Sequence, residues 1–427
     1  MVEIRLLRTP DELLASQQVF RAAMVGLPGL PVTREVVTTL REPGLTYGAY
    51  DASTLVGTTD SSTLVGTTDS STLVGTTDSS TLVGTTDGGI GTLTLPGGAA
   101  VSHLAVTHVG VLPTHTRRGV VSALLRRQLR DARDAGHVVA TLRASEAVIY
   151  GRYGYGVATS SLRAEVITAR ARLRDGVATS GTTRLIDRDG ALDRQAAIVD
   201  ENPSARPGFV SRLPIWWAAH RLREDDKPVW IAVHSTDGRD DGYVRYRPAD
   251  PSQWWSGADR RVVVDDLHAS TDAVFADLLR FLLRLDLVDR ITFGAVPVDT
   301  VLPLLVHDRR AVRLQSTSDE TWLRILDVDA ALAARTYGAG PSVTITVDDD
   351  DLPENAGTVE VGPDGVHRVD GPGALRVHVR DLAAVLLGGT SWRSLAVAGL
   401  VTGDAAAPAA ADTLFTTELA PFAGVGF

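Results

Sequence analysis

The chain reads as a multidomain α/β protein in which one helix N-terminus opens onto a ligand, and three observations carry that reading. Strand-like and helix-like segments alternate from the first residues onward, the order that lays helices onto a sheet. The 427 residues suggest about three domains. A long apolar strand at 101–112 also runs through Pro113 into a basic loop, THTRRG, that starts a helix.

Residues 2–7 (VEIRLL) predict a first strand. Thr9-Pro10-Asp11-Glu12 predicts a helix start, because Thr9 suits the N-cap, Pro10 has no N–H to lose and Glu12 completes a capping box. That helix should reach about Met24, and residues 45–50 form a second strand. STLVGTTDS then repeats from Ser53, Ser62 and Ser71, with a fourth copy from Ser80 ending in Gly88. The repeat unit reads as one strand, Thr-Leu-Val-Gly-Thr-Thr, with Asp-Ser-Ser as its turn. A sheet needs a single copy, so the repeat at 53–88 is expected to add mainly a lengthened surface loop.

Beyond the strand at 101–112, a helix is predicted from Arg118 to Ala135. Val121, Leu125, Leu129 and Ala132 would form its apolar face, with Gly136 closing it. HVVATL (137–142) is a strand, and a short element at 145–151 leads into RYGYG. Residues 183–310 repeat the rhythm, with helices near 190–200 and 271–284 and strands in PVWIAVHS, DGYVRYRP, RRVVVDDL and DRITFGAV. After the strand 260–267 the chain reads HASTDAV, with neither glycine nor arginine, so a second copy of the fold would lack the basic loop. From about 316 short strands return, with helices at 328–336 and 380–387. The run Asp348–Asp351 reads as a solvated turn, and the Ala/Pro tract 405–411 as a lead into the terminal PFAGVGF.

Composition excludes several classes. Hydrophobic residues make up 44% and charged residues 22%, an ordinary globular balance. No apolar run is long enough to span a membrane, and the charged start MVEIRLLRTP lacks the apolar stretch of a signal peptide. With no cysteine, disulfides, thiolate metal sites and a Cys nucleophile are excluded, which fits a cytoplasmic protein. The net charge of −10 argues against nucleic acid and anionic membrane. It suits solubility, and also cationic substrates such as polyamines or aminoglycosides. The ten histidines show no HxxxH or HExxH spacing, so no metal is expected.

The segment from Val109 to Ser122 carries the chemistry. Backbone N–H groups at a helix start lack intrahelical partners, and the helix dipole favours an anion there. Gly119 lets the main chain approach a pyrophosphate, while Arg117 and Arg118 add charge-assisted contacts. Pro113 ends the strand, freeing Val109, Gly110 and Val111 to bond a ligand with amides of its own. His115 reads as a solvated loop histidine.

Here LAVTHVGVLPTHTRRGVVSALL resembles the acetyl-CoA motif of the GNAT acetyltransferases. ASEAVIYGRYGYGVAT (144–159), WLRILDVDAALAAR (322–335) and the final Phe427 are similar to the Eis (enhanced intracellular survival) family. The resemblance implies tandem GNAT domains and a sterol-carrier-like C-terminal domain, at 1–160, 161–315 and 316–427. Only the first would bind acetyl-CoA, through Val109 to Val111, Arg117, Arg118, Gly119, Val120, Val121, Ser122, Ser145 and Glu146. It further implies Tyr150 as general acid, the C-terminal carboxylate on Phe427 as general base, and a homohexamer. Thr116 and Val121 depart from the usual GNAT loop, and Gly426 stands where an acidic residue precedes the terminal phenylalanine in aminoglycoside-modifying members. The reaction implied is acetyl transfer to a primary amine by direct attack. A protein lysine or N-terminal acetyltransferase, and a non-catalytic protein binding acetyl-CoA or an apolar ligand, are the alternatives.

Overall fold

A computed structural model describes residues 2–25, 32–41, 44–51, 80–223, 228–255, 257 and 259–425. They fall into two compact units, Met1–Gly89 with Ala105–Ala135, and Ile90–Leu104 with Gly136–Phe427.

The first unit contains β1 (Val2–Leu7), α1 (Pro10–Ala23), α2 (Arg34–Leu40), β2 (Thr46–Asp51), the start of β3 (Thr81–Thr94), the end of β4 (Ala100–Val111) and α3 (Val120–Asp134). Its strands lie in the order β1-β2-β3-β4. α1 begins with the predicted capping box: the Thr9 hydroxyl accepts from the Glu12 N–H at 3.3 Å, and the Glu12 carboxylate accepts from the Thr9 N–H at 2.9 Å. Such a cap is worth about 1 kcal/mol.

The fourth repeat copy is β3 itself, antiparallel to β2 with Tyr47 opposite Thr86 and Asp51 opposite Thr81. The other three copies lie outside the described residues. Where the other copies carry Asp-Ser-Ser, the fourth carries Asp87-Gly88-Gly89, and there the strand continues to Thr94. Burial explains the continuation. Asp87 is enclosed, with Thr46 Oγ1 donating to it at 2.7 Å and the Arg41 guanidinium at 3.4 Å. A turn would expose that carboxylate and strand Arg41.

On α3 the buried side chains are Val120, Leu124, Leu125, Gln128, Leu129 and Ala132, whereas Val121 is only half-buried. The apolar face is therefore rotated from the prediction at its start. Gln128 is buried because it bonds Thr86 Oγ1 at 2.9 Å and the Asp87 carbonyl at 3.1 Å.

The second unit opens with the ends of β3 and β4, then β5 (Val139–Leu142), α4 (Ala147–Tyr150) and β6 (Gly156–Val157). A second sheet follows, built from β7 (Ser160–Ile167), β8 (Thr182–Ile186), β9 (Trp230–Thr236), β10 (Arg239–Pro248), β11 (Arg261–Ala269), β12 (Arg290–Pro297) and β13 (Val312–Asp319). Its order is β13-β7-β12-β11-β10-β9-β8, with α5 (Ala191–Glu201), α6 (Pro214–Arg223), α7 (Asp272–Leu282) and α8 (Leu302–Leu305) between strands. β11 and β12 pair in parallel only over Arg261–Val264 and Arg290–Phe293, then part. The next strand, β14 (Trp322–Ile325), pairs antiparallel with both β5 and β6.

The C-terminal domain has α9 (Val328–Ala334), the strands β15 (Val343–Asp348), β16 (Gly357–Gly362), β17 (Gly365–Val369) and β18 (Leu375–His378), then α10 (Val379–Leu386), α11 (Trp392–Val397), β19 (Val401–Gly403) and α12 (Ala407–Leu414). The Ala/Pro tract is thus a helix, with Pro408 in its first turn. One core joins Leu323 and Ile325 of β14 to Ile345 of β15, Leu382 of α10 and Trp392 of α11. The Asp348–Asp351 run is not wholly a solvated turn. Asp349 is buried, bonded by Arg324 Nη2 at 2.7 Å, Asn355 Nδ2 at 2.8 Å and the Leu352 N–H at 3.0 Å. Arg324 is fully enclosed, and an enclosed cation requires such a partner.

Candidate active site

In the first unit, β4 runs through His108, whose φ of 50° is rare for a residue other than glycine. His108 Nδ1 lies 3.3 Å from Asp87, and Phe20 meets its ring edge-on at 4.8 Å. Burial pushes the Asp87 carboxyl up, but Arg41, His108 and Thr46 together hold it below the ordinary range. Val109, Gly110 and Val111 follow. Gly110 also has a packing role, since a Cβ there would sit 3.1 Å from Ala23 Cβ and 3.3 Å from the α1 backbone.

The loop after β4 turns through Pro113–His115, and Thr116 Oγ1 donates to the Pro113 carbonyl at 3.2 Å. Arg117 has φ 60° and Gly119 φ 79°, so two left-handed residues flank Arg118. Arg118 reaches the buried Asp51 carboxylate at 2.8 Å, and His115 Nε2 is 3.5 Å from the same oxygen. His115 is therefore mostly enclosed rather than solvated, drawn in by a carboxylate from the end of β2. Arg118 moors the loop, while Arg117 stands exposed and makes no ion pair among the described residues.

α3 starts on Gly119 with no side-chain cap and no acidic residue in its first turn. Its position is set by Gly84, where a Cβ would come within 2.7 Å of Val120 and 3.2 Å of Leu124. The N–H groups at Val120, Val121 and Ser122 thus stand at a helix start with no N-cap side chain and no acidic residue in its first turn, the kind of terminus that suits a phosphate.

In the second unit, β5 is followed by Arg143 and an exposed stretch, Ser145 and Glu146, before the single turn of α4 delivers Tyr150 into a buried position. Burial raises the phenol above its ordinary 10.0, with a hydrogen bond to Ser145 acting the other way. Tyr150 is consequently a protonated donor at neutral pH. Tyr155 packs edge-to-face on it, with centroids 6.1 Å apart. Two of the glycines that follow Tyr150, Gly154 and Gly156, are steric requirements. A Cβ on Gly154 would meet the Arg324 guanidinium at 2.8 Å, and one on Gly156 would lie 2.0 Å from the Arg380 carbonyl of α10.

Phe427 and Gly426 lie outside the described residues, but the preceding tail is firmly docked. The Phe422 N–H donates to the Pro207 carbonyl at 2.9 Å, and the Ala423 carbonyl accepts from the Val210 N–H at 3.3 Å. The Ala423 N–H donates to Glu320 Oε2 at 3.1 Å, and Arg143 donates to the Val425 carbonyl. The sequence reading missed Arg143, Glu320 and Asp51. Arg143 follows an apolar strand and borders the tyrosine motif, a weak signal, whereas Glu320 and Asp51 give none.

A GNAT-type N-acetyltransferase is the class to which the comparisons assign the chain. Family models for the acetyltransferase (GNAT) domain match residues 59–158 and 208–325, and one for the sterol carrier protein domain matches 328–424. An uncharacterised N-acetyltransferase of Streptomyces avermitilis is 37% identical over 100% of this chain and 99% of its own. N-acetyltransferase Eis of Mycobacterium tuberculosis is 32% identical over 57% of this chain and 60% of its own. The crystal structure of Eis1 from Mycobacterium abscessus superposes with a TM-score of 0.86 at 42% identity, covering 100% of both chains. The chain belongs to the Eis-like GNAT N-acetyltransferases, enzymes of two GNAT domains and a sterol-carrier-like domain.

Proposed function

We propose that this enzyme transfers acetyl from acetyl-CoA to a primary amine of a cationic small molecule, such as an aminoglycoside. The observation that carries the reading is the start of α3, glycine-led, uncapped and flanked by Arg117 and Arg118. It fits the pyrophosphate of acetyl-CoA, with Val109 to Val111 along the pantetheine arm, Arg117 to Ser122 at the phosphates, and Ser145 and Glu146 as further contacts. The net charge of −10 favours a cationic acceptor.

Transfer proceeds by direct attack. The amine nitrogen bonds to the acetyl carbon as the C–S bond breaks. Backbone N–H groups near Val111 stabilise the charge that develops on the carbonyl oxygen. Tyr150 gives its proton to the departing thiolate, and the Phe427 carboxylate takes the proton released by the amine. Homohexameric assembly belongs to the same reading through the family resemblance.

CoA release measured with native-terminus protein across aminoglycosides, polyamines and a lysine peptide tests the substrate class. Turnover on the first two alone is expected, and turnover confined to the peptide would make this a protein acetyltransferase. Extending the C-terminus with a tag should lower turnover about 10²- to 10⁴-fold, whereas an N-terminal tag should do no comparable harm. Equal rates from the two tagged forms would remove the terminal carboxylate from the mechanism.

A further inference from the structure

Three successive residues near the chain end are each held by a charged side chain from a different part of the second unit. Glu320 accepts from the Ala423 N–H at 3.1 Å. Arg212 donates to the Gly424 carbonyl at 3.2 Å. Arg143 donates to the Val425 carbonyl. The clamps are themselves fixed. Arg143 pairs with Glu320 at 3.2 Å, Thr159 Oγ1 donates to the other Glu320 oxygen at 2.9 Å, and Arg212 pairs with Asp266 at 2.7 Å, which also accepts from Tyr243. Glu320, Arg212 and Asp266 are almost fully enclosed.

Holding a loose tail needs no buried charge, because apolar contacts and main-chain pairing do it without the desolvation cost. Buried ion pairs aimed at consecutive main-chain groups instead fix direction and register. Arg143 occupies the segment that continues into α4 and Tyr150. We infer that Arg143, braced by Glu320, is a positioning residue that locks the Ala423–Val425 segment and thereby places the terminal carboxylate for proton removal. This rests on the reading of that carboxylate as the base. Arg143 suits the role because its Nη2 donates to both the Glu320 carboxylate and the Val425 carbonyl, from a guanidinium that stays charged at any working pH and is less strongly hydrated than a lysine ammonium.

The test is a cycle of Arg143→Met with a C-terminal extension on the full-length enzyme. Arg143→Met should lower kcat about 10- to 100-fold through misplacement of the base. The KM for acetyl-CoA should not change, and the residual rate should climb with pH as more amine becomes neutral. Combined with the extension it should cost no more than the extension alone, and Arg143→Lys should restore only part of the rate. If Arg143→Met does not fold, as judged by its thermal melt, the lysine variant is read in its place. Wild-type kcat in Arg143→Met beside a damaging extension overturns the clamp and leaves the terminal base standing, as does a strictly additive loss. A harmless extension overturns the terminal base. Amide exchange then judges the clamp by itself: faster exchange across 420–425 in Arg143→Met upholds it, and unchanged exchange overturns it.

Discussion

Two helices stand at the same place in the repeated fold, each following a long strand, and their first turns are opposites. α7 begins on Thr271, whose hydroxyl accepts from the Val274 N–H at 3.2 Å, with Asp272 next to it. α3 begins on Gly119, with no capping side chain, no acid and two arginines just before. The chain caps the α7 terminus with its own side chain and gives that of α3 none, as the proposed binding of an outside anion there requires. A stable helix start and a binding site make opposite demands on the same N–H groups. The α7 start meets the first demand, and the α3 start has the form that the second requires.

The comparison breaks most visibly at the chemistry, which only the first domain should support. Tyr150→Phe keeps the ring and removes the donor, so kcat should fall about 10²- to 10⁴-fold with acetyl-CoA affinity intact by calorimetry. Because burial raises the phenol, the wild-type rate should show no loss of its acid as pH rises through about 9, a unit below the ordinary phenol value. Wild-type turnover in the variant would reduce Tyr150 to a packing residue.

A smaller effect comes from making α3 resemble α7. Gly119→Asp points its Cβ into open space, with nothing within 4 Å, and aspartate tolerates the left-handed conformation better than most residues. A carboxylate at that helix start should weaken acetyl-CoA binding by about 1–2 kcal/mol, roughly five- to thirtyfold. Undiminished affinity would move the phosphates elsewhere. The smallest effect is the reverse change, in α7. Thr271→Ala should cost about 1 kcal/mol of stability in denaturant titration and leave acetyl-CoA binding unaltered. A change in affinity there would mean that the second domain also takes the co-substrate.

Local signals are what the sequence by itself determined. The Thr9–Glu12 capping box, the strand–proline–arginine–glycine–helix order around Gly119 and the missing loop before α7 were all legible, because each acts between residues a few positions apart. Tertiary structure decided the rest. Four near-identical copies offer one strand sequence, and β3 is the last of them because that copy is joined directly to the continuation through Thr94. Whether Asp349 in an acidic run is solvated or enclosed depends on Arg324, 25 residues away. The Arg143 bond to the Val425 carbonyl spans 282 positions, and Glu320 reaches Ala423 across 103. Buried charges find their partners only once the chain has folded, and no periodicity or spacing in the sequence encodes which carboxylate an arginine will meet.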